Sequence, residues 1–279
     1  MDSLEGFVSD DQLAIPALNE RGWEVKTVSW RDSSADWNDF EVTVIRTTWD
    51  YQRYPADFIS VLRDIEGSAS HLENSLKTVK WNLDKRYLQD LATRGIPILP
   101  TLWDTIYSET ELHVWFEKLK TQEIIVKPTI SATAEHTYRL AAYDPSLQPI
   151  FERRAFMVQP FLSAIVDEGE YSLFYFNGEF SHAILKKPKP SDFRVQEEHG
   201  GIISPVAADM SLLDAGSAAM ACVDPVPLYG RVDLVRDSTG QWLIMELELI
   251  EPSLYFRTDA RSPHRFAKAL TQRVENKRR

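Results

Sequence analysis

Tyr229-Gly-Arg-Val-Asp-Leu-Val-Arg-Asp-Ser-Thr-Gly-Gln-Trp-Leu-Ile-Met-Glu-Leu-Glu-Leu-Ile-Glu-Pro-Ser253 predicts two strands joined by a turn, with charge on one face only. Asp237-Ser-Thr-Gly240 has the composition of a turn. With Arg236 facing Gln241 across it, Arg231 stands opposite Glu246, and Asp233 and Glu248 lie on the same face. Val232, Leu234, Leu247 and Leu249 point the other way, into a core. Three carboxylates and an arginine then share a small patch. Like charges held that close repel unless a cation sits among them. Mg²⁺ suits such a place, because it takes one or two carboxylates and fills its other positions with phosphate oxygens and water. A half-exposed strand with solvated glutamates shows the same alternation, so the remainder of the chain decides between the two.

At 279 residues the chain can form one large domain or two to three smaller ones with ample core. Its 43% hydrophobic and 26% charged content is ordinary for a globular protein. No apolar run approaches the roughly 18–20 residues of a membrane span, and the start is not signal-like, so no membrane partner is expected. Cys222 is the lone cysteine, which excludes an internal disulfide and a thiolate metal site and places the chain in the cytoplasm. A net charge of −11 argues against a nucleic-acid footprint, since phosphate backbones need a basic surface. The one basic run, Lys277-Arg278-Arg279, reads as a solvated terminus.

Residues 1–78 read as a small α/β unit: a helix over 10–22, strands over 23–30 and 41–46, a loop over 47–54, and a helix over 55–65. Such a unit normally opens on a strand, and residues 1–7 are too short and polar to supply it. Next come a helix beginning at Asn82 and stopping at Gly95, and an extended stretch over 96–102. Ser108-Glu-Thr-Glu111 is a capping box opening a helix to residue 120. Strands follow over 124–127, 138–143 and 156–162, with a polar loop over 128–136. Asn177-Gly178 joins strands over 170–176 and 179–187, the strongest short hairpin signal. Loop chemistry fills 188–206, a helix of small residues covers 208–222, and Ser262-Pro263 opens the last helix.

Strung in order, Asn82-Leu-Asp-Lys85, Ile124-Ile-Val-Lys127-Pro128, Val158-Gln-Pro-Phe-Leu162, Glu168-Gly-Glu-Tyr-Ser172, Phe193-Arg-Val-Gln-Glu-Glu-His-Gly-Gly201 and the acidic hairpin form a series. The chain resembles the ATP-grasp carboxylate–amine ligases, nearest to the glutathione-synthetase-like and ribosomal-protein-glutamate-ligase-like members. The match covers about residues 80–255, and 1–78 resemble the small domain that precedes the module. The resemblance implies an α/β (α+β) chain: a Rossmann-like pre-ATP-grasp domain at 1–78, then an ATP-grasp domain at 79–279. The latter has two α+β subdomains that clamp ATP, a central one at about 96–162 and a C-terminal one at about 163–279.

Roles carried over from the resemblance each have a physical reason. Lys85 and Lys127 correspond to lysines that hold the nucleotide phosphates as point charges, and Ser131-Ala-Thr-Ala134 to the loop over those phosphates, though it lacks the usual glycines. Gln159 reads adenine, with Phe161 and Leu162 flanking the ring, and Glu170 (or its neighbour Glu168) binds the ribose. Arg194 stabilises the transferring phosphate with the aid of Lys186, the adjacent glycines allowing backbone approach. Arg231 is the family's arginine; Asp233, Glu246 and Glu248 are its metal ligands, with Glu248 where asparagine is usual. His182 and His199 read as structural or surface groups, since no zinc-ligand spacing exists.

The implied reaction uses ATP and two Mg²⁺ ions, for which Mn²⁺ can substitute, to convert a small carboxylate or amino acid to an acylphosphate that an amine-type nucleophile then attacks. The family suggests a homodimer or homotetramer. Arg46, Thr48, Trp49 and Asp50 are the candidate substrate-binding residues, because they leave the carboxyl end of a strand in an α/β unit; an internal ion pair is the alternative for Arg46. The strings Arg46-Thr-Thr-Trp-Asp-Tyr51, Trp81-Asn-Leu-Asp-Lys85 and Asp192-Phe-Arg-Val-Gln-Glu-Glu-His-Gly-Gly201 also resemble the O-ureido-serine cyclo-ligase group of cycloserine biosynthesis, which leaves intramolecular ring closure as an alternative. A nucleotide-binding protein without catalysis is a third reading, opposed by the full set of Arg194, Asp233, Glu246 and Glu248.

Overall fold

A computed structural model describes every residue of the chain except Asp104, Ser191 and Arg279. In the N-terminal part, Val42–Val44 (β1) and His71–Glu73 (β2) form a parallel pair. Helix Pro55–Glu66 connects them and buries Phe58, Leu62 and Ile65, one face of a helix by their spacing. These side chains meet Trp30, Ile45, Tyr51, Leu72 and Val79, and Ile250 joins the cluster from far along the chain. The helix expected over 10–22 divides into a 3-10 turn, Asp11–Ala14, and a short helix, Ile15–Asn19. Pro16 explains the division, since it has no N–H for a preceding carbonyl. The strand expected over 23–30 is not formed. Residues 24–28 instead line, with residues 42–46, a cavity of about 460 Å³. Alternation sets which face of a strand is apolar but cannot supply the neighbouring edge that a strand needs.

Ile124–Pro128 (β3), Tyr138–Leu140 (β4) and Phe156–Pro160 (β5) make an antiparallel sheet in the order β4–β3–β5. Every residue of β3 and β5 is buried. Helix Glu109–Leu119 adds Leu112 and Trp115 to their core. Its N-terminus is capped as expected, with Ser108 Oγ accepting from the Glu111 N–H at 3.2 Å.

The second sheet contains Glu170–Phe176 (β6), Glu179–Lys187 (β7), Ile202–Pro205 (β8), Tyr229–Arg236 (β9) and Trp242–Glu248 (β10), in the order β10–β9–β6–β7–β8. Asn177 and Gly178 join β6 to β7 with φ of 51° and 78°, the left-handed pair that a two-residue hairpin turn demands. Alternate residues of β6 serve two cores. Leu173 and Tyr175 pack with helix Met210–Met220, while Phe174 and Phe176 pack with helix Ser262–Lys277. The basic tail is exposed, as expected, and its side chains also meet acids: Lys277 Nζ lies 3.1 Å from Glu73 and Arg278 pairs with Glu41, while Arg279 is outside the described residues.

Two elements that build the site differ from expectation. The acidic hairpin does not pair Arg236 with Gln241. Arg236 faces Trp242, and a bulge at Met245 then shifts the register, so that Asp233 faces Glu246 and Arg231 faces Glu248. The bulge lets Trp242 and Ile244, and then Leu247 and Leu249, all reach the same core, while Glu246 and Glu248 turn to the opposite face. Asn82, in turn, ends a helix rather than beginning one. The helix runs Leu76–Asn82 from a Ser75 cap, and the next is Tyr87–Thr93, which leaves Lys85 in the turn between them. Asn82 is drawn to the end of β10, donating to Leu247 O at 2.7 Å and accepting from the Leu249 N–H at 2.8 Å. Among the described residues no helix is long and apolar enough to cross a membrane.

Candidate active site

β3, β5, β6, β7, β9 and β10 all send side chains into one cleft. The register aligns its acids: Asp233 faces Glu246 on β10 and Ser172 on β6, and Glu170 faces Lys186 on β7. A carboxylate oxygen from each of Asp233, Glu246 and Glu248 lies within 4.8 Å of the others. Hard oxygen donors so grouped fit a divalent cation such as Mg²⁺, which prefers carboxylates and water.

Protein cations surround these acids. Lys127 Nζ lies 2.9 Å and Lys85 Nζ 3.8 Å from Glu246 Oε1. Lys186 Nζ is 2.7 Å from Glu170 and 3.2 Å from Asp233. Arg231 lies 3.0 Å from Asp233 and pairs closely with Glu248, and Ser172 donates to Asp233. Burial alone would push all three acids up. At Asp233 the opposing charges of Arg231 and Lys186 win and hold it at about 2. Lys127 and Lys85 do the same for Glu246, also to about 2. At Glu248 burial wins, aided by Asp233 and Glu246 and resisted by Arg231, and the carboxyl rises to about 7. Lys186 is held above its ordinary range, burial and Arg231 being outweighed by Asp233 and Glu170.

Lys85 also donates to Ser131 O at 2.8 Å and to its hydroxyl at 3.2 Å. This ties it to the 129–137 loop, where Thr133, Ala134 and His136 hold φ of 52°, 55° and 57°. Gln159 donates to Thr101 Oγ1 at 3.0 Å. Arg194 is clamped by Asp192, through Nε at 3.1 Å and Nη2 at 2.9 Å. The glycine beside it serves the loop itself: a Cβ on Gly201 would stand 2.0 Å from Val195 O.

Lys85, Lys127, Ser131, Gln159, Glu170, Lys186, Arg194, Arg231, Asp233, Glu246, Glu248 and Trp49 all line this cleft. Other expected site residues do not. The Phe161 ring lies under the Arg139 guanidinium at 3.6 Å, and Leu162 packs with Leu99, Ile165 and Val235. Asp50 accepts from Trp30 Nε1 at 2.9 Å and pairs with Arg31, and Thr48 is buried beside the 460 Å³ cavity. Arg46 pairs with Asp11 at 3.0 Å, donates to Pro252 O at 2.6 Å and covers the Tyr229 ring. Tyr51, the end of the expected substrate loop, also lines the cleft, and so does Glu251, to which the sequence assigned no role. A carboxylate in Ile-Glu-Pro just past the acidic strand was the available signal.

Residues 1–74 match the family described as the N-terminal domain of the D-cycloserine synthetase DcsG. Over 280 residues the chain is 30% identical to the cycloserine biosynthesis protein DcsG of Streptomyces lavendulae, spanning 94% of this chain and 92% of that protein. The crystal structure of D-cycloserine synthetase DcsG superposes with a TM-score of 0.83 at 28% identity, over 95% of this chain and 94% of that one. The ATP-grasp ligase PsnB, solved with a phosphomimetic variant of its minimal precursor, Mg and ADP, gives 0.68 at 15% identity over 98% and 96%. The D-alanine–D-alanine ligase of Bacillus anthracis with ATP gives 0.67 at 16% over 97% and 95%. These last two likenesses are of fold.

Proposed function

Because this chain belongs to the ATP-grasp ligases, in the family of the D-cycloserine synthetase, and is an ADP-forming carboxylate–amine ligase, we propose that it activates the carboxylate of a small amino acid as an acylphosphate for attack by an amine-type nucleophile. The observation that carries this reading is the meeting of Asp233, Glu246 and Glu248 with Lys85, Lys127, Lys186 and Arg231 in one cleft. Such mixed charge suits a polyanion that brings divalent cations with it. Mg²⁺ held by Asp233, Glu246 and Glu248 would offset charge on the phosphates.

Each side chain then has a task. Lys85 and Lys127 exchange Glu246 and Ser131 for phosphate oxygens, with Ser131 following as the loop settles over them. Gln159 addresses the adenine edge and Glu170 the ribose. Arg194 and Arg231, already oriented by carboxylates, face the charge that builds as the phosphoryl group moves. In the first step a carboxylate oxygen of the substrate bonds to the γ-phosphorus and the bond to the leaving ADP breaks. In the second the amine attacks the acyl carbon, phosphate departs with its oxygen, and the new amide nitrogen loses a proton. Hydroxylamine trapping tests the intermediate: ATP, Mg²⁺ and an amino-acid substrate should yield the hydroxamate, and ADP production with no hydroxamate at saturating trap would count against it.

A second reading, ring closure within a single substrate, is favoured by the full-length likeness to the cycloserine biosynthesis protein. O-ureido-D-serine supplied alone should then give a cyclic product without any second amine. If it releases ADP only when a separate amine is added, intermolecular ligation stands.

A further inference from the structure

Beyond β10 three consecutive carbonyls are each held by a distant side chain. The Tyr229 hydroxyl shares its proton between Ile45 O at 2.6 Å and Ile250 O at 2.8 Å, Trp49 Nε1 donates to Glu251 O at 2.9 Å, and Arg46 Nη2 to Pro252 O at 2.6 Å. Arg46 is itself fixed by Asp11 and by the Tyr229 ring. The segment so clamped puts the Glu251 side chain on the wall of the cleft, with the residue only 7% exposed. The cleft's cations are engaged elsewhere: Lys85 and Lys127 on Glu246, Lys186 on Glu170 and Asp233, Arg231 on Asp233 and Glu248. Among the described residues Glu251 forms no ion pair with any of them. Its hydrogen-bonding neighbour is the phenol of buried Tyr51. Burial and the nearby charge of Glu248 push its carboxyl up to about 8, against the weaker pull of Lys85, Arg46 and Arg231.

A buried carboxyl without a protein cation, in a wall that also carries Trp49, Tyr51, Ser253 and Tyr255, suits an ammonium group. Aromatic faces and a carboxylate both attract a cation, and the guanidinium that reaches this wall, Arg231 with Nη1 3.4 Å from Ser253 O, is already neutralised by Asp233 and Glu248. The phosphates have their own lysines, and the metal ligands lie on the ladder before Ile250. We propose that Glu251 receives the ammonium group of the amino-acid substrate, and that Arg46 and Trp49 are positioning residues that hold the Glu251 segment against the cleft. This rests on the reading of the chain as an amino-acid ligase.

ADP release with the D and L forms of alanine and serine, set beside lactate and glycerate, tests it, since each hydroxy acid keeps the carboxylate and loses the ammonium. The parent should favour at least one amino acid over its hydroxy counterpart by a hundredfold or more in kcat/KM. Glu251→Gln should raise KM for that amino acid at least tenfold, leave KM for ATP within twofold and abolish the preference, while Glu251→Asp should restore part of it. Trp49→Phe, which removes the indole donor and shrinks the ring while keeping it aromatic, should raise the same KM by a smaller factor with kcat little changed. A Glu251→Gln enzyme that keeps its preference, or that loses ATP affinity instead, would overturn the assignment while the ligase reading stands. If the parent releases no ADP with any of these acids or with O-ureido-D-serine, the amino-acid reading itself fails and the assignment with it.

Discussion

Lys127 serves two partners in turn. Its ammonium neutralises Glu246 from 2.9 Å, and in the proposed reaction it turns to phosphate. Lys127→Ala should therefore weaken ATP binding by about 1.5–3 kcal/mol, as for a charged hydrogen bond, against about 0.5–1.5 for Gln159→Ala. Calorimetric titration gives both values, and the reverse ranking would move the phosphate site. Lys127 was legible in the sequence because an apolar strand ended on it before a proline. Lys85 was legible only through its place in the series, and its secondary structure was misjudged because the pull of Asn82 on β10 is a long-range contact. Glu251 escaped notice for a related reason: nothing local shows that three carbonyls around it are clamped from residues 46, 49 and 229.

The hairpin of β9 and β10 shows what an element can and cannot reveal. That its carboxylates share a face and its leucines a core was readable from alternation. The bulge was readable too, in principle, since the buried apolar positions switch parity from Trp242 and Ile244 to Leu247 and Leu249. A strict period of two overlooks that change. The loop bearing Arg194 offers a test at the same scale. Because any Cβ at Gly201 meets Val195 O at 2.0 Å, Gly201→Ala must shift the backbone that carries the arginine. Thermal unfolding should show a cost of about 1–3 kcal/mol, as for overpacking, and kcat should fall by more than KM rises. An unchanged kcat would mean that the arginine acts independently of this loop's shape.

Across the whole molecule, residues 85, 127, 159, 170, 194, 231 and 246 converge from three parts of the chain on one cleft. Spacing alone could not bring them together; only their order, set against a known family, could. The N-terminal unit was read less well, because an alternating stretch such as 23–30 says nothing about whether a partner edge lies beside it. Stability at low pH should depend on His182, which does not itself line the cleft. Its ring stacks on Phe174 at 4.3 Å with Nε2 3.0 Å from Leu254 O, and burial lowers it to about 4. A base depressed in the folded state contributes stability above its unfolded value near 6.5, and that contribution is lost as pH falls towards 4. The shift corresponds to roughly 3 kcal/mol at most. His182→Gln should therefore lose less stability than the parent between pH 6.5 and 4, as read by denaturant unfolding. Parallel losses would place the acid sensitivity elsewhere.

Nucleotide products formed from ATP, Mg²⁺ and the amino-acid panel test the central claim most directly, with Glu246→Gln alongside the parent. Glu246 is the choice because it pairs with Lys127 and Lys85, so that Glu246→Gln leaves the Arg231 pairs with Asp233 and Glu248 intact. The account predicts ADP and phosphate in equal amounts, dependent on both Mg²⁺ and the amino acid, and at least a hundredfold loss in Glu246→Gln at a temperature well below its Tm, where the variant is fully folded. AMP and pyrophosphate as products, or near-parental ADP formation by Glu246→Gln, would contradict it.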